Sequence, residues 1–166
     1  MANLDSLQPK WAPRLLSLLR IVAAFLLMQH GAQKVLGVLL PTPAPGAPSA
    51  QGTFLLLSLR GIAGILELGG GLFLLLGLFT RPVALILSGL LAVAYFLSHA
   101  PQNFWPILNR GELAVLYSFV FLYLAAAGGG TWSIDRLLER RNGRSQSALA
   151  QANDNSGAPS RAQLNY

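Results

Sequence analysis

The sequence has no cysteine, two histidines and few charges of either sign. Without cysteine there are no disulfides, no thiol redox chemistry and no cysteine-held iron–sulfur or zinc site. Charged residues make up 11% of the 166 residues, where a soluble domain carries about 25%. Hydrophobic residues make up 53%, and the mean hydropathy is +0.50. Such a chain reads as a membrane protein in contact with the lipid bilayer. The formal net charge is +6. The basic residues gather towards the chain ends, which argues against a nucleic-acid partner and for the positive-inside rule.

Four apolar segments reach the roughly 20 residues that a helix needs to cross a bilayer core. The first runs from about Leu15 to Leu36, with Pro13 at the expected helix start. The second runs from about Phe54 to Phe79. The third follows the break "FTRP", with Thr80 as the expected N-cap, and reaches about Ser98. The fourth opens at "NRGE" and reaches about Ala127, where Gly128–Gly130 stops it. The fold class is therefore an all-α membrane protein, a four-transmembrane-helix bundle.

Between the first two spans, the prolines of "PTPAPGAPSAQG" exclude a helix and predict an extended, uncharged loop. After the fourth span, "SIDRLLERR" puts Ile134, Leu137 and Leu138 on one face, as in a short amphipathic helix lying on the membrane. From about Asn142 to Tyr166 the chain is polar and is expected to be disordered. The expected organisation is an N-terminal segment over 1–12, a transmembrane domain over 13–138 and a polar tail over 139–166.

Lys10 and Arg14 precede span one, and Arg20 sits in its first turns. Arg81 marks the turn between spans two and three, and Arg136, Arg140, Arg141 and Arg144 follow span four. The long first loop has no Lys or Arg, and the third loop has only Arg110. This bias places both termini in the cytoplasm of a multi-pass protein of the plasma membrane. Span one lacks a small-residue cleavage site after its apolar core, so it reads as a retained span rather than a signal peptide.

With that orientation, the ionisable groups within the spans, Arg20 excepted, lie between mid-membrane and the outer surface. "FLLMQHGAQKVLGVLL" interrupts span one with Gln29, His30, Gln33 and Lys34. His30 and Lys34 are four apart and share a helix face. Arg60, Gly64, Glu67 and Gly71 share a face of span two, and its glycines admit a close neighbour. Ser88, Ala92, Tyr95 and His99 form a stripe on span three, and Asn109 and Glu112 open span four. Turned inward, these faces would enclose a polar pocket open to the outside.

Simpler readings stand beside that one. Lys34 and Glu67 can be an ion pair that fixes helix register. "NRGE" fits a capping box, with Asn109 at the N-cap and Glu112 at N3. Arg60 and Arg110 can snorkel to headgroups. His99 can be an interfacial residue beside "PQNFWP", whose Trp105 suits an aromatic belt. His30, mid-span and expected to face a carboxylate, is the hardest of the set to explain by structure alone.

"HGAQKVLG", "GILELGGGLFLLLGLFTRPVALIL" and "NRGELAVLYSFVFLYLAAAGGGTWSIDRLL" together resemble the DoxX family of small bacterial membrane proteins. The resemblance covers roughly Arg20 to Leu138. Arg110 stands where the family pattern commonly has glycine. The resemblance implies a four-helix inner-membrane protein linked to quinone-associated oxidation. On that basis quinone is the implied ligand. His30, Lys34 and Glu67 are the candidate catalytic residues, and Gln33, Arg60, His99, Asn109 and Glu112 the candidate ligand-binding residues. The chain has no evident electron carrier, so a redox partner protein is implied, with homo-oligomer formation open. The alternatives are a non-enzymatic subunit or small-solute protein, and a haem protein ligated by His30 and His99. The different depths of those two histidines argue against haem, and no metal site is expected.

Overall fold

The computed structural model describes residues 4–39 and 58–156, and the side-chain surroundings of 10–39 and 58–152. The Pro-rich loop and the last residues of the tail lie outside the described residues. Within them the chain is all helical: α1 (Leu4–Leu36), α2 (Leu59–Leu76), α3 (Thr80–Ala94) continued by a π-helical turn (Tyr95–His99), α4 (Pro106–Asn109), α5 (Glu112–Ala127) and α6 (Ile134–Ser156). α1 packs along α2, α3 packs along α5, and α2 beside α3 joins the two pairs.

Three helices are long and apolar enough to cross a membrane: the α1 stretch from Lys10, α2, and α3 with its π turn. The fourth, α5, has 16 residues, about 24 Å at 1.5 Å per residue. That is short of a core of about 30 Å. The side chains are arranged for lipid. Leu26, Ile65, Leu85, Ile86, Leu116 and Phe119 are exposed, whereas the buried seam holds small and branched residues such as Ala24, Leu27, Ala84, Leu87 and Leu124. In hydrocarbon, helices associate through close packing rather than by hiding apolar surface, so small residues gather at contacts.

The helix ends follow from local chemistry, with corrections to the expectations above. Ser58 caps α2 by accepting from Gly61 N at 3.1 Å. Gly77, with φ 67°, ends α2 in the left-handed conformation, with Gly77 N bonded to Leu74 O and Leu78 N to Phe73 O. Thr80 is not the N-cap of α3. Phe79 holds that position, and the cap comes from α6: the two carboxylate oxygens of Asp135 accept from Phe79 N and Thr80 N, each at 2.8 Å. A carboxylate satisfies two orphan donors there and suits the positive end of the helix.

Pro13 lies within α1 rather than at its start. α6 is also longer than the short helix expected. Ala, Leu, Arg and Gln are good helix formers, and they carry the helix on to Ser156.

Candidate functional site

Gly31 determines how α1 meets α2. A Cβ at Gly31 would lie 2.5 Å from Leu68 N and 2.8 Å from Gly64 O, and one at Gly64 would press on Lys34 and Val35. The backbones therefore touch here, and the approach brings two long side chains together. Lys34 Nζ donates to Glu67 Oε1 at 2.5 Å. Glu67 is buried, and its Oε2 has no partner among the described residues. The expected inward face of α2 is present in Gly64, Glu67 and Gly71, but Arg60, at the start of the helix, is exposed.

His30 does not join this pair. It is exposed on α1, because the buried seam runs through Ser17, Arg20, Ala24, Leu27 and Gly31 at alternating spacings of three and four. His30 lies one residue, about 100° on a helix of 3.6 residues per turn, off that seam. Gln33 donates to Leu39 O at 2.8 Å and so ties down the end of α1.

At the same end of the bundle, α3 and α5 build a second polar cluster. The π turn closes with Ala100 N on Tyr95 O at 2.9 Å. It turns Tyr95 inward, where its hydroxyl donates to Phe104 O. His99 stacks on the Tyr95 ring at 6.3 Å between centroids, and its Nδ1 lies 3.0 Å from Asn109 O. Asn109 is buried. Its amide donates to Asn103 O at 2.6 Å, and its Oδ1 accepts from Gly111 N at 2.7 Å.

The capping box therefore does not form. Asn109 makes an Asx turn over the hinge instead, Gly111 holds the N-cap position, and Glu112 and Arg110 are exposed. Below this cluster, a groove of about 450 Å³ opens between α3 and α5, with Ser88, Tyr95, Phe104, Trp105, Ser118 and Phe119 on its walls.

The single pocket expected from the sequence is thus divided in two: the Lys34–Glu67 pair between α1 and α2, and the His99–Asn109–Tyr95 cluster with its groove between α3 and α5. Sequence reasoning missed a third feature at the opposite end. Arg20 is completely buried. Its Nη1 donates to Leu74 O at 2.6 Å and its Nη2 to Trp132 O at 2.6 Å. Ser17 Oγ accepts from Trp132 N at 3.1 Å, and Thr131 N donates to Pro13 O at 3.1 Å. Arg20 therefore ties α1, the end of α2 and the α5–α6 connection together. The three–four spacing from Ser17 to Gly31 was the available signal.

A model of the DoxX family matches residues 15–100. An uncharacterized protein of Haemophilus influenzae is 43% identical over 138 residues, covering 81% of this chain and 96% of that one. The inner membrane protein YqjF of Escherichia coli K12 is 40% identical over 79 residues, covering 46% of this chain and 59% of that one. No solved structure matches.

Proposed function

Because the chain belongs to the DoxX family, we propose that it is a multi-pass protein of the bacterial inner membrane that holds a quinone-type ring for a redox partner protein. Similarity to an inner membrane protein supports the location. The observation that carries the ligand is the aromatic groove between α3 and α5. A lipid-soluble ring needs flat apolar walls, a few polar groups and a way in between helices. Phe104, Trp105 and Phe119 supply walls; Ser88, Ser118 and Tyr95 also line the groove, and their hydroxyls donate to Ser118 O, Val115 O and Phe104 O, which leaves their oxygens as acceptors.

His99 does not line the groove but stacks on Tyr95, which does. Its Nδ1 meets a backbone carbonyl, which can only accept, so Nδ1 carries a hydrogen. The chain's role is to bind and position the ring, and the electrons belong to the partner.

A second reading rests on Glu67 Oε2, which is buried without a partner among the described residues. A small polar solute that donates to it would make the chain a solute-binding protein. One experiment separates the two readings. Protein purified from membranes is extracted, and the extract is chromatographed for quinone. The groove reading expects quinone with the parent and with Lys34→Met, but not with Ala92→Phe, which fills the groove. Absence of quinone from the parent, or its retention by Ala92→Phe, overturns that reading. Ligand loss that follows Lys34 and Glu67 instead supports the second.

A further inference from the structure

A cavity of about 540 Å³ lies at the other end of the bundle, where α3 begins, α5 ends and α6 departs. We propose that it is a binding site for a phospholipid headgroup that carries both a phosphodiester and a primary ammonium. Helix ends mark its depth. Thr80 starts a membrane-crossing helix and Ala127 ends α5, so the cavity sits at the boundary between hydrocarbon and headgroups.

Arg81 and Arg136 on its wall set its chemistry. The Arg81 guanidinium lies over Gly128, where a Cβ would be 3.6 Å from Nε and Nη2. It uses one donor on Ala126 O at 2.8 Å. Four of its five N–H donors remain. Arg136 lies across the cavity on α6. Its backbone N–H is held by Ser133 Oγ at 3.3 Å. Thr80 also lines the cavity, but its Oγ1 is buried away from it, and a Cβ at Gly129 would lie 2.8 Å from that oxygen.

The acidic groups on the same rim select among anions. Both oxygens of Asp135 are committed to the N-terminus of α3. Glu139 is exposed on the rim and free of such a task. Two guanidiniums and one carboxylate around one cavity match a ligand with an anionic phosphate and a cationic amine. A purely anionic headgroup would face Glu139. A quaternary ammonium has no N–H to donate to it. Leu138 and Pro82 on the lining give the acyl chains an apolar exit.

Native mass spectrometry of the full chain in detergent tests this, with phosphatidylethanolamine, phosphatidylglycerol and phosphatidylcholine of matched acyl chains added in turn. The parent should retain phosphatidylethanolamine in preference to the other two. Arg81→Gln and Arg136→Gln should each weaken that retention about tenfold or more, the scale of one charge-assisted hydrogen bond. Glu139→Gln should abolish the preference over phosphatidylglycerol while retention of lipid persists. A thermal melt reports folding. Should Arg81→Gln unfold, Arg136→Gln decides. Equal retention of the three lipids by the parent overturns the proposal, as does unchanged retention in Arg136→Gln. Displacement of the lipid by inorganic phosphate or glycerophosphoethanolamine overturns its lipid-borne source.

Discussion

Lys34 and Glu67 meet with unequal burial. The lysine side chain is 26% exposed and the glutamate side chain 2%. Removing one partner of a buried pair strands the other charge, at a cost of about 3–5 kcal/mol. The stranded residue differs in the two single variants. Lys34→Met leaves a carboxylate with no route to water. Glu67→Gln leaves an ammonium on a flexible stem that can reach towards the headgroups. Lys34→Met should therefore lose most of that range, Glu67→Gln clearly less, and the double variant should recover towards the parent. Unfolding in mixed detergent micelles measures this. Single variants both as stable as the parent would show that the contact contributes nothing.

The same pair shows what a sequence can reveal at this scale. Two long polar side chains beside glycines on facing helices have few other places to go, so their meeting was legible. His30 was not, because sharing a face with Lys34 leaves open which edge of that face points inward. Gly31 is the contact centre, and a residue without a side chain carries no polar label. Arg20 was missed for a different reason. Near a span's cytoplasmic end, an arginine is ordinarily assigned to headgroups. Here the carbonyls of Leu74 and Trp132, at a helix end and in a connection, need a donor, and only the folded neighbours reveal that need.

Among the elements, the four apolar helices were legible from their hydropathy, and three of them, among the described residues, have the length of a crossing helix. Their caps were not, because the decisive partner lies elsewhere in the chain: Asp135, 55 residues after Thr80, supplies the N-terminal acceptors of α3. The break between α4 and α5 is also a backbone matter. Arg110 sits at φ 58°, the left-handed region. A side chain there costs about 1–2 kcal/mol relative to glycine. Arg110 is exposed, and no hydrogen bond of its side chain is seen among the described residues. Arg110→Gly should therefore stabilise the protein by about 1 kcal/mol, part of the relief being offset by the freer unfolded chain. Thermal melting in detergent measures it. A lower melting temperature would mean that the guanidinium has a role that its exposure conceals.

At the scale of the whole molecule, the arrangement of charge orients the bundle. The start of α1, the α2–α3 turn and the start of α6 meet at one end, tied by Arg20 and Asp135. Burial removes Arg20 from the charges that can reach headgroups, and pairing removes Lys34. The bias survives that correction. Lys10, Arg14, Arg81, Arg136, Arg140, Arg141 and Arg144 remain at least partly accessible at this end, against Arg60 and Arg110 at the other. Tryptophans mark both boundaries, Trp11 and Trp132 on one side and Trp105 on the other, all exposed. The end that carries both termini should therefore face the cytoplasm. A reporter active only in the periplasm should stay silent when fused after Leu138 and respond when inserted at Ala47, and a cytoplasmic reporter should give the opposite pattern. A periplasmic signal at Leu138 would reverse the bundle. The α3–α5 groove and His99 would then open towards the cytoplasm, and any redox partner serving that groove would have to be sought on that side.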